Sequence, residues 1–338
     1  MEFSILNNDY SLWILFGLFV GVALAVDLGL IGKIKSLIKK GRDKPRHNED
    51  KQPLQQTTLV TAPQPFKQAL IWTMVWISLA GIFTGLIFVG MGNDKMLEFV
   101  TGYTLEKSLS VDNMFVFLLI FSSLGIPHAH QHKVLSVGII SAIAMRIPLI
   151  LVGVSLLESF HWIIYIFGSL LLFTAIRMLV QKKEKKIEIE KNIAVRILRK
   201  VVPLSLELKQ DKFFTRINGI LYATPMLVAL VIVEMTDLVF AVDSIPAVLA
   251  ITSDPFIVIT SNVFAILGLR SLYFLLAGMM DKFYYLKPGL IALLFFISFK
   301  MMVSEFYKIP IGASLAVIFG ILGTAMILSL VKTRQIRN

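Results

Sequence analysis

The 338-residue sequence contains no cysteine. That removes disulfide frameworks and thiolate metal sites from the ways this chain can be held together or do chemistry. Charge is also scarce: 16% of residues are Asp, Glu, Lys or Arg, against about 25% in ordinary soluble domains. Acids are the rarer sign, 22 against 33 Lys and Arg, for a net charge of +11. Apolar residues fill the space, at 56% of the chain and a mean hydropathy of +0.77. A water-soluble enzyme of this length would need polar surface that this composition lacks, so the chain reads as a membrane protein with several spans. Its basic residues cluster between apolar runs, a pattern that sets membrane topology and argues against a nucleic-acid partner.

A membrane-spanning helix needs about 20 predominantly apolar residues. Nine runs meet that need: 12–31, 69–89, 105–124, 135–156, 162–180, 220–243, 256–279, 290–302 with its flanks, and 311–331. The expected fold is therefore all-α, one polytopic transmembrane domain over residues 1–338. The N-terminus is acidic (Glu2, Asp9) and the first run is long and followed by Lys33 and Lys35. That favours a retained span over a cleaved leader. Basic residues concentrate in 33–67, in 182–216 and in the tail (Lys332, Arg334, Arg337), while Lys95 and Lys308 fall in the alternate loops. Nine spans with the N-terminus outside and the C-terminus inside put all three clusters in the cytosol. Residues 33–67 read as a flexible basic linker. Residues 182–218 carry Ile193, Ile197, Val201, Leu204, Leu206 and Leu208 at helical spacing. They read as an amphipathic basic loop on the inner headgroups, with docking of a membrane-protein partner as the alternative.

Two spans interrupt their own apolar pattern. The third carries Glu106 and Asp112 followed by Asn113, and the sixth carries Glu234, Asp237 and Asp243 followed by Ser244. Each is followed by a span bearing an arginine, Arg146 and Arg270. With nine spans the third and sixth run in opposite directions. The acid-then-arginine unit thus occurs twice in opposite topology, as in the inverted repeats of transporters whose sites lie at mid-membrane. A charge at the bilayer centre is disfavoured by about 2.5–3.5 kcal/mol. Six of them (Asp112, Glu234, Asp237, Asp243, Arg146, Arg270) would sum to roughly 15–21 kcal/mol, more than the ~5–15 kcal/mol stability of a whole fold. They are therefore expected to face one another, water or an ion.

At 100° per residue, Glu106, Ser110 and Asn113 share one helical face, as do Glu234, Asp237, Ala241 and Ser244. Asp243 lies off that face. Pro246 removes a backbone hydrogen bond and disfavours helix at Ile245, so a break near Asp243 is expected to turn its carboxylate inward and free carbonyl oxygens. The resulting set is hard oxygen, suited to Mg²⁺, Ca²⁺ or Mn²⁺. Met114 and Met235 adjoin the acids; a thioether would bias the site toward a transition metal, although packing is the ordinary role of Met. The bland alternative is a set of fixed ion pairs with Arg146, Arg270 and Lys107. Asp27 and Lys300 read as second shell or as snorkelling charges, and His128, His130 and His132 as a solvated turn. There is no Ser/His dyad within the spans, so an enzyme is not expected.

The segments Glu106-Lys107-Ser108-Leu109-Ser110-Val111-Asp112-Asn113 and Glu234-Met235-Thr236-Asp237-Leu238-Val239-Phe240-Ala241-Val242-Asp243-Ser244-Ile245-Pro246-Ala247 resemble the signature motifs of the TerC family. The similarity continues through Arg146, residues 213–225, and Ser261-Asn262-Val263-Phe264-Ala265-Ile266-Leu267-Gly268-Leu269-Arg270, and is nearest to the Alx type of bacterial inner-membrane protein. The resemblance implies export of Mn²⁺ from the cytosol across a bacterial inner membrane, with Mn²⁺ as substrate and no permanent cofactor. It carries Glu106, Asp112, Asn113, Glu234, Asp237, Asp243 and Ser244 over as ion-binding positions. Alternating access driven by proton exchange is the expected mechanism. Another cation (Ca²⁺ or H⁺) is the runner-up. A non-transporting scaffold in a metal-stress, tellurium-resistance or secretion complex is the reading from another class.

Overall fold

A computed structural model describes residues 9–27, 66–160, 162–180, 193–205, 212–277, 285–304, 306–307 and 309–337. The expected linker at 33–67 falls almost wholly outside them. The elements are α1 (Asp9–Asp27), α2 (Phe66–Met91), α3 (Asn93–Ser123), α4 (His128–Ser159), α5 (Ile163–Val180), α6 (Ile193–Val201), strands β1 (Phe214–Ile217) and β2 (Ile220–Ala223), then α7 (Pro225–Leu249), α8 (Pro255–Ile266), α9 (Leu269–Ala277), α10 (Leu286–Val303) and α11 (Ile311–Arg337).

Each of the nine apolar runs coincides with a helix or with the α8–α9 pair. Five helices (α2, α4, α5, α7 and part of α11) are long and apolar enough to cross a bilayer, and the bent α8–α9 pair makes a sixth. Many large apolar side chains point outward, among them Ile82 and Val89 on α2, Phe173 and Leu179 on α5, and Val239 on α7. Such a surface is a liability in water and the normal condition of a lipid-facing belt. The chain is an all-α, multi-pass integral membrane protein.

The helices meet through small residues, as they must where lipid supplies no hydrophobic drive for association. A Cβ on Gly102 of α3 would lie 2.9 Å from Ser261 Oγ of α8, and one on Gly138 of α4 would lie 2.9 Å from Glu234 Oε1 of α7. The contacts follow a scheme: α3 packs on α8 and α7 on α4, α5 packs on α7 and α10 on α3, and α3–α7, α4–α8 and α5–α10 pack on each other. Exchanging α3 with α7, α4 with α8 and α5 with α10 turns these contacts into one another, whereas the smaller α4–α5 and α7–α10 contacts have no counterpart of equal extent.

Three sequence expectations are corrected here. The sixth span does not begin at residue 220: residues 220–223 are strand β2, and α7 starts at Pro225, whose fixed φ suits the first helical position. Residues 182–218 are not one amphipathic helix. Of the described part, 193–201 form α6, whose Ala194 and Val195 are buried, and β1 pairs antiparallel with β2. Third, α7 is unbroken from Pro225 through Pro246 to Leu249. The neighbours of Pro246 are buried, and the helix stays continuous across the missing hydrogen bond.

The discontinuity lies instead in the seventh span. α8 ends at Ile266, Gly268 adopts φ +82, and α9 departs at 41°. Glycine is required there twice over, because a Cβ would also sit 2.6 Å from the Trp76 ring. Gly268→Ala is expected to destabilise the fold by at least ~1–3 kcal/mol from backbone strain alone, read as a lowered Tm of the purified protein in detergent.

Candidate functional site

The centre of the bundle is polar. Glu106 of α3, Arg146 of α4, Asp237 of α7 and Asn262 of α8 converge there, each at 5% exposure or less. Arg146 is the hub. Its Nε and Nη2 donate to Asp237 Oδ2 and Oδ1 at 3.2 and 2.9 Å, the bidentate fit a planar guanidinium offers a carboxylate. Its Nη1 donates to Asn262 Oδ1 at 2.9 Å and to Glu106 Oε1. Four helices are thus tied through one side chain.

Lys107, next in sequence to Glu106, reaches the break in the seventh span. Its Nζ donates to the carbonyls of Ala265 and Leu267 at 3.1 and 3.4 Å. The last carbonyls of a helix have no partner within it and favour a cation. The freed carbonyls expected beside Asp243 therefore exist at Gly268, and an ammonium of the chain itself occupies them.

The expected faces are correct. Ser110 and Asn113 are buried with Glu106, and Ala241 and Ser244 with Asp237. Glu234 projects over Gly138, where only a glycine leaves room for its Oε1. Together with Asp237, Arg270, Met114 and Phe117, it lines a small, partly open cavity of about 20 Å³. Met114 thus faces the acids, whereas Met235 is on the outer surface of α7. The Arg270 guanidinium donates to Ser136 Oγ at 3.2 Å. Asp243 stands apart: its Oδ1 accepts from Thr174 Oγ1 of α5 at 2.9 Å. An intact helix puts it 240° around the axis from Asp237, so the inward turn expected of it does not occur. Lys300 is buried on α10, and no acid among the described residues pairs with it. The side chains of Asp112 and Asp27 are outside the described residues. His128 hydrogen-bonds Gln131 and His132 stacks on Phe274, so the expected solvated turn is partly packed.

The ion pairing weighed for Arg146 is present: it bonds directly to both Glu106 and Asp237. Among the described side chains around the centre, Glu106, Glu234 and Asp237 stand with Lys107, Arg146 and Arg270. Among the described residues, no three of His, Asp and Glu are grouped as a metal cage. Yet the network is not saturated. Glu106 Oε2, Ser110 Oγ, Glu234 Oε2, Ser244 Oγ and Asn262 Nδ2 are buried without a hydrogen-bond partner among the described residues. A purely structural network in a low-dielectric interior ordinarily satisfies such atoms.

Apolar clusters close the two sides of the centre differently. On one side Phe16, Phe83, Phe99, Phe256 and Phe264 interlock, with Phe83 stacked on Phe264 at 4.6 Å. Beyond them Lys95 bridges Glu98 and Asp254 at 3.0 and 2.9 Å, and Thr252 donates to Glu98 at 2.6 Å. Burial draws the Lys95 ammonium pKa down, but its hydrogen bonds to Asp254 and Glu98 and their charges leave it raised. On the other side Met114, Phe117, Leu135 and Ile139 wall the cavity rather than fill it.

Residues 91–337 match the model of the family described as integral membrane protein TerC. An uncharacterized membrane protein of Myxococcus xanthus is 44% identical over 96% of this chain and 93% of its own length. The Alx protein of Escherichia coli K12, described as a candidate membrane-bound redox modulator, is 45% identical over 78% of this chain and 84% of its own. An uncharacterized membrane protein of Rickettsia bellii is 34% identical over 95% of this chain and 97% of its own. No solved structure matches the chain.

Removing Arg146 would leave two buried carboxylates without their counter-charge. Arg146→Met is expected to lower stability by about 3–5 kcal/mol. Asp243→Asn keeps an acceptor for Thr174 and is expected to change it by less than ~1.5 kcal/mol. Thermal unfolding in detergent separates the two.

Proposed function

The chain belongs to the TerC family of integral membrane proteins, and from that premise we propose that it exports Mn²⁺ from the cytosol of a bacterial cell across the inner membrane. The observation that carries this reading is the set of unsatisfied hard-oxygen donors around Glu106, Glu234, Ser110 and Ser244. They are the ligand types that suit Mn²⁺, and they sit beside a cavity. Nine spans with the N-terminus outside put the start of α4 and the start of α7 on the cytosolic side. The cavity then opens toward the cytosol, and the aromatic cluster with its Lys95 bridge is the outer seal.

In this reading a cation enters past Met114 and meets Glu234 first, because that carboxylate lines the cavity and is not held by Arg146. Its charge then competes with the guanidinium for Asp237 and Glu106. Arg146 is the occupant of the empty state, standing in for the cation so that the acids are never left unpaired in the membrane. Asp112 and Asn113 of α3 and Ser244 of α7 complete the proposed ligand set; Asp243, facing α5, is assigned to the surround. The internal contact symmetry of α3–α5 with α7–α10 supports an inverted repeat whose halves rock about the centre to give alternating access. Protons exchanged at the vacated carboxylates are the proposed counter-ion.

The redox description attached to the relatives does not carry over through thiol chemistry, since this chain has no cysteine. A cation exporter reaches redox balance indirectly, by setting the metal available to other proteins.

Cells lacking the protein are expected to accumulate several-fold more Mn²⁺ under Mn²⁺ load. Wild type and Asp243→Asn should restore the low level, while Asp237→Asn and Glu234→Gln should not despite equal membrane abundance. Unchanged Mn²⁺ content on deletion, or full rescue by Asp237→Asn, overturns the reading.

A further inference from the structure

α6 and the β1–β2 hairpin stand immediately before α7, and they form one rigid piece. Ala223 N donates to Pro203 O and Ser205 N to Ala223 O, both at 2.9 Å. Thr224 Oγ1 donates to the carbonyls of Lys212 and Phe213 at 2.7 and 3.1 Å. Val195 is buried in the core cluster that also holds Val233 and Leu135. Lys133 of α4 lies 5.4 Å over the Phe213 ring. The hairpin turns at Asn218 and Gly219, both at positive φ, the backbone of a tight two-residue turn.

The outer surface of this piece combines two features. Large apolar side chains face outward: Ile197 and Val201, at 55% and 75% exposure and one turn apart on α6, and Phe214 and Leu221 on the hairpin. Strand alternation and register put Phe214, Arg216 and Leu221 on the same face, with Arg216 directly across from Leu221. Among them stand Arg196, Arg199, Lys200, Lys212 and Arg216, all exposed, and no acid occurs at 193–205 or 212–224. Apolar groups interleaved with positive charge that no acid within described residues 193–205 and 212–224 offsets, one residue from the start of a membrane-length helix, are not a surface for water.

We propose that α6 and the hairpin are a lipid-surface platform, which binds the anionic headgroups of the leaflet where α7 begins and seats Ile197, Val201, Phe214 and Leu221 at the acyl boundary. The charge complementarity selects acidic phospholipid over zwitterionic lipid. The seating at the bilayer edge follows from the covalent continuity with α7. The platform shares a core with the cavity walls, so it fixes the position of the cavity mouth relative to the membrane surface. The proposal does not depend on which ion the centre carries.

Because the chain has no native cysteine, Leu221→Cys in the full-length protein takes a single nitroxide label. The labelled protein is reconstituted in phosphatidylcholine vesicles with and without phosphatidylglycerol. Collision with oxygen, which concentrates in the acyl region, is compared with collision with a water-soluble nickel chelate. The expected result is a several-fold higher oxygen-to-nickel ratio with phosphatidylglycerol, lost on Arg196→Gln/Arg199→Gln/Arg216→Gln in protein of unchanged size-exclusion profile. A label in water in both lipids means the face serves a soluble partner, and label–label broadening means it serves a second copy. Either result, or acyl contact indifferent to lipid charge, overturns the proposal.

Discussion

One guanidinium holds the centre of this protein together. Two carboxylates on helices far apart in sequence, Glu106 and Asp237, are buried at mid-bundle, and each would be prohibitive in lipid if left alone. Arg146 bridges both, offsetting one of their two charges, and fixes four helices around itself. The small-residue contacts at Gly102 and Gly138, the broken seventh span and the placement of Lys107 all serve to bring those charges within reach. Arg146 does this without exhausting the hydrogen-bonding capacity of its partners, and that residue of unsatisfied oxygen is what a stabilising ion pair alone leaves unexplained.

The surroundings of the centre are unequal. An interlocked set of phenylalanines and a half-buried ion-pair bridge close one side, and a cavity reaches Glu234 and Asp237 from the other. The contacts between helices are nevertheless close to symmetric under exchange of the two acid-bearing units. Symmetric connectivity with asymmetric access is what the alternating access proposed above requires.

Much of this was legible in the chain because charge in lipid is so unfavourable that few placements are allowed. The shared faces of Glu106, Ser110 and Asn113, and of Asp237 and Ser244, followed from helical periodicity alone. The family likeness to TerC proteins, visible in the two acidic motifs, holds over residues 91–337. What misled was the local rule at Pro246. Proline was expected to open α7, but packed neighbours carry the helix past it, and Asp243 stays on the α5 side. The true break rests on Gly268, whose signal was hidden in an apolar run because nothing local distinguishes a glycine at positive φ from one that admits a close neighbour. The hairpin did have a signal, Asn218-Gly219 between residues of high strand propensity. That signal is masked because the apolar stretch after it reads equally well as the start of a span. The bond from Arg146 to two acids, rather than one, is a tertiary fact that no spacing encodes.

The account turns on whether the buried centre passes a divalent cation in exchange for its own guanidinium. The most direct measurement is Mn²⁺ flux into proteoliposomes of the purified protein, followed by quenching of an enclosed Mn²⁺-sensitive dye. The account predicts flux that saturates with Mn²⁺, carries or is driven by a proton gradient, and vanishes when Asp237 is changed to Asn. Flux no greater than in protein-free vesicles, from protein that remains folded, would contradict it and leave Arg146 and its acids as a structural ion-pair network.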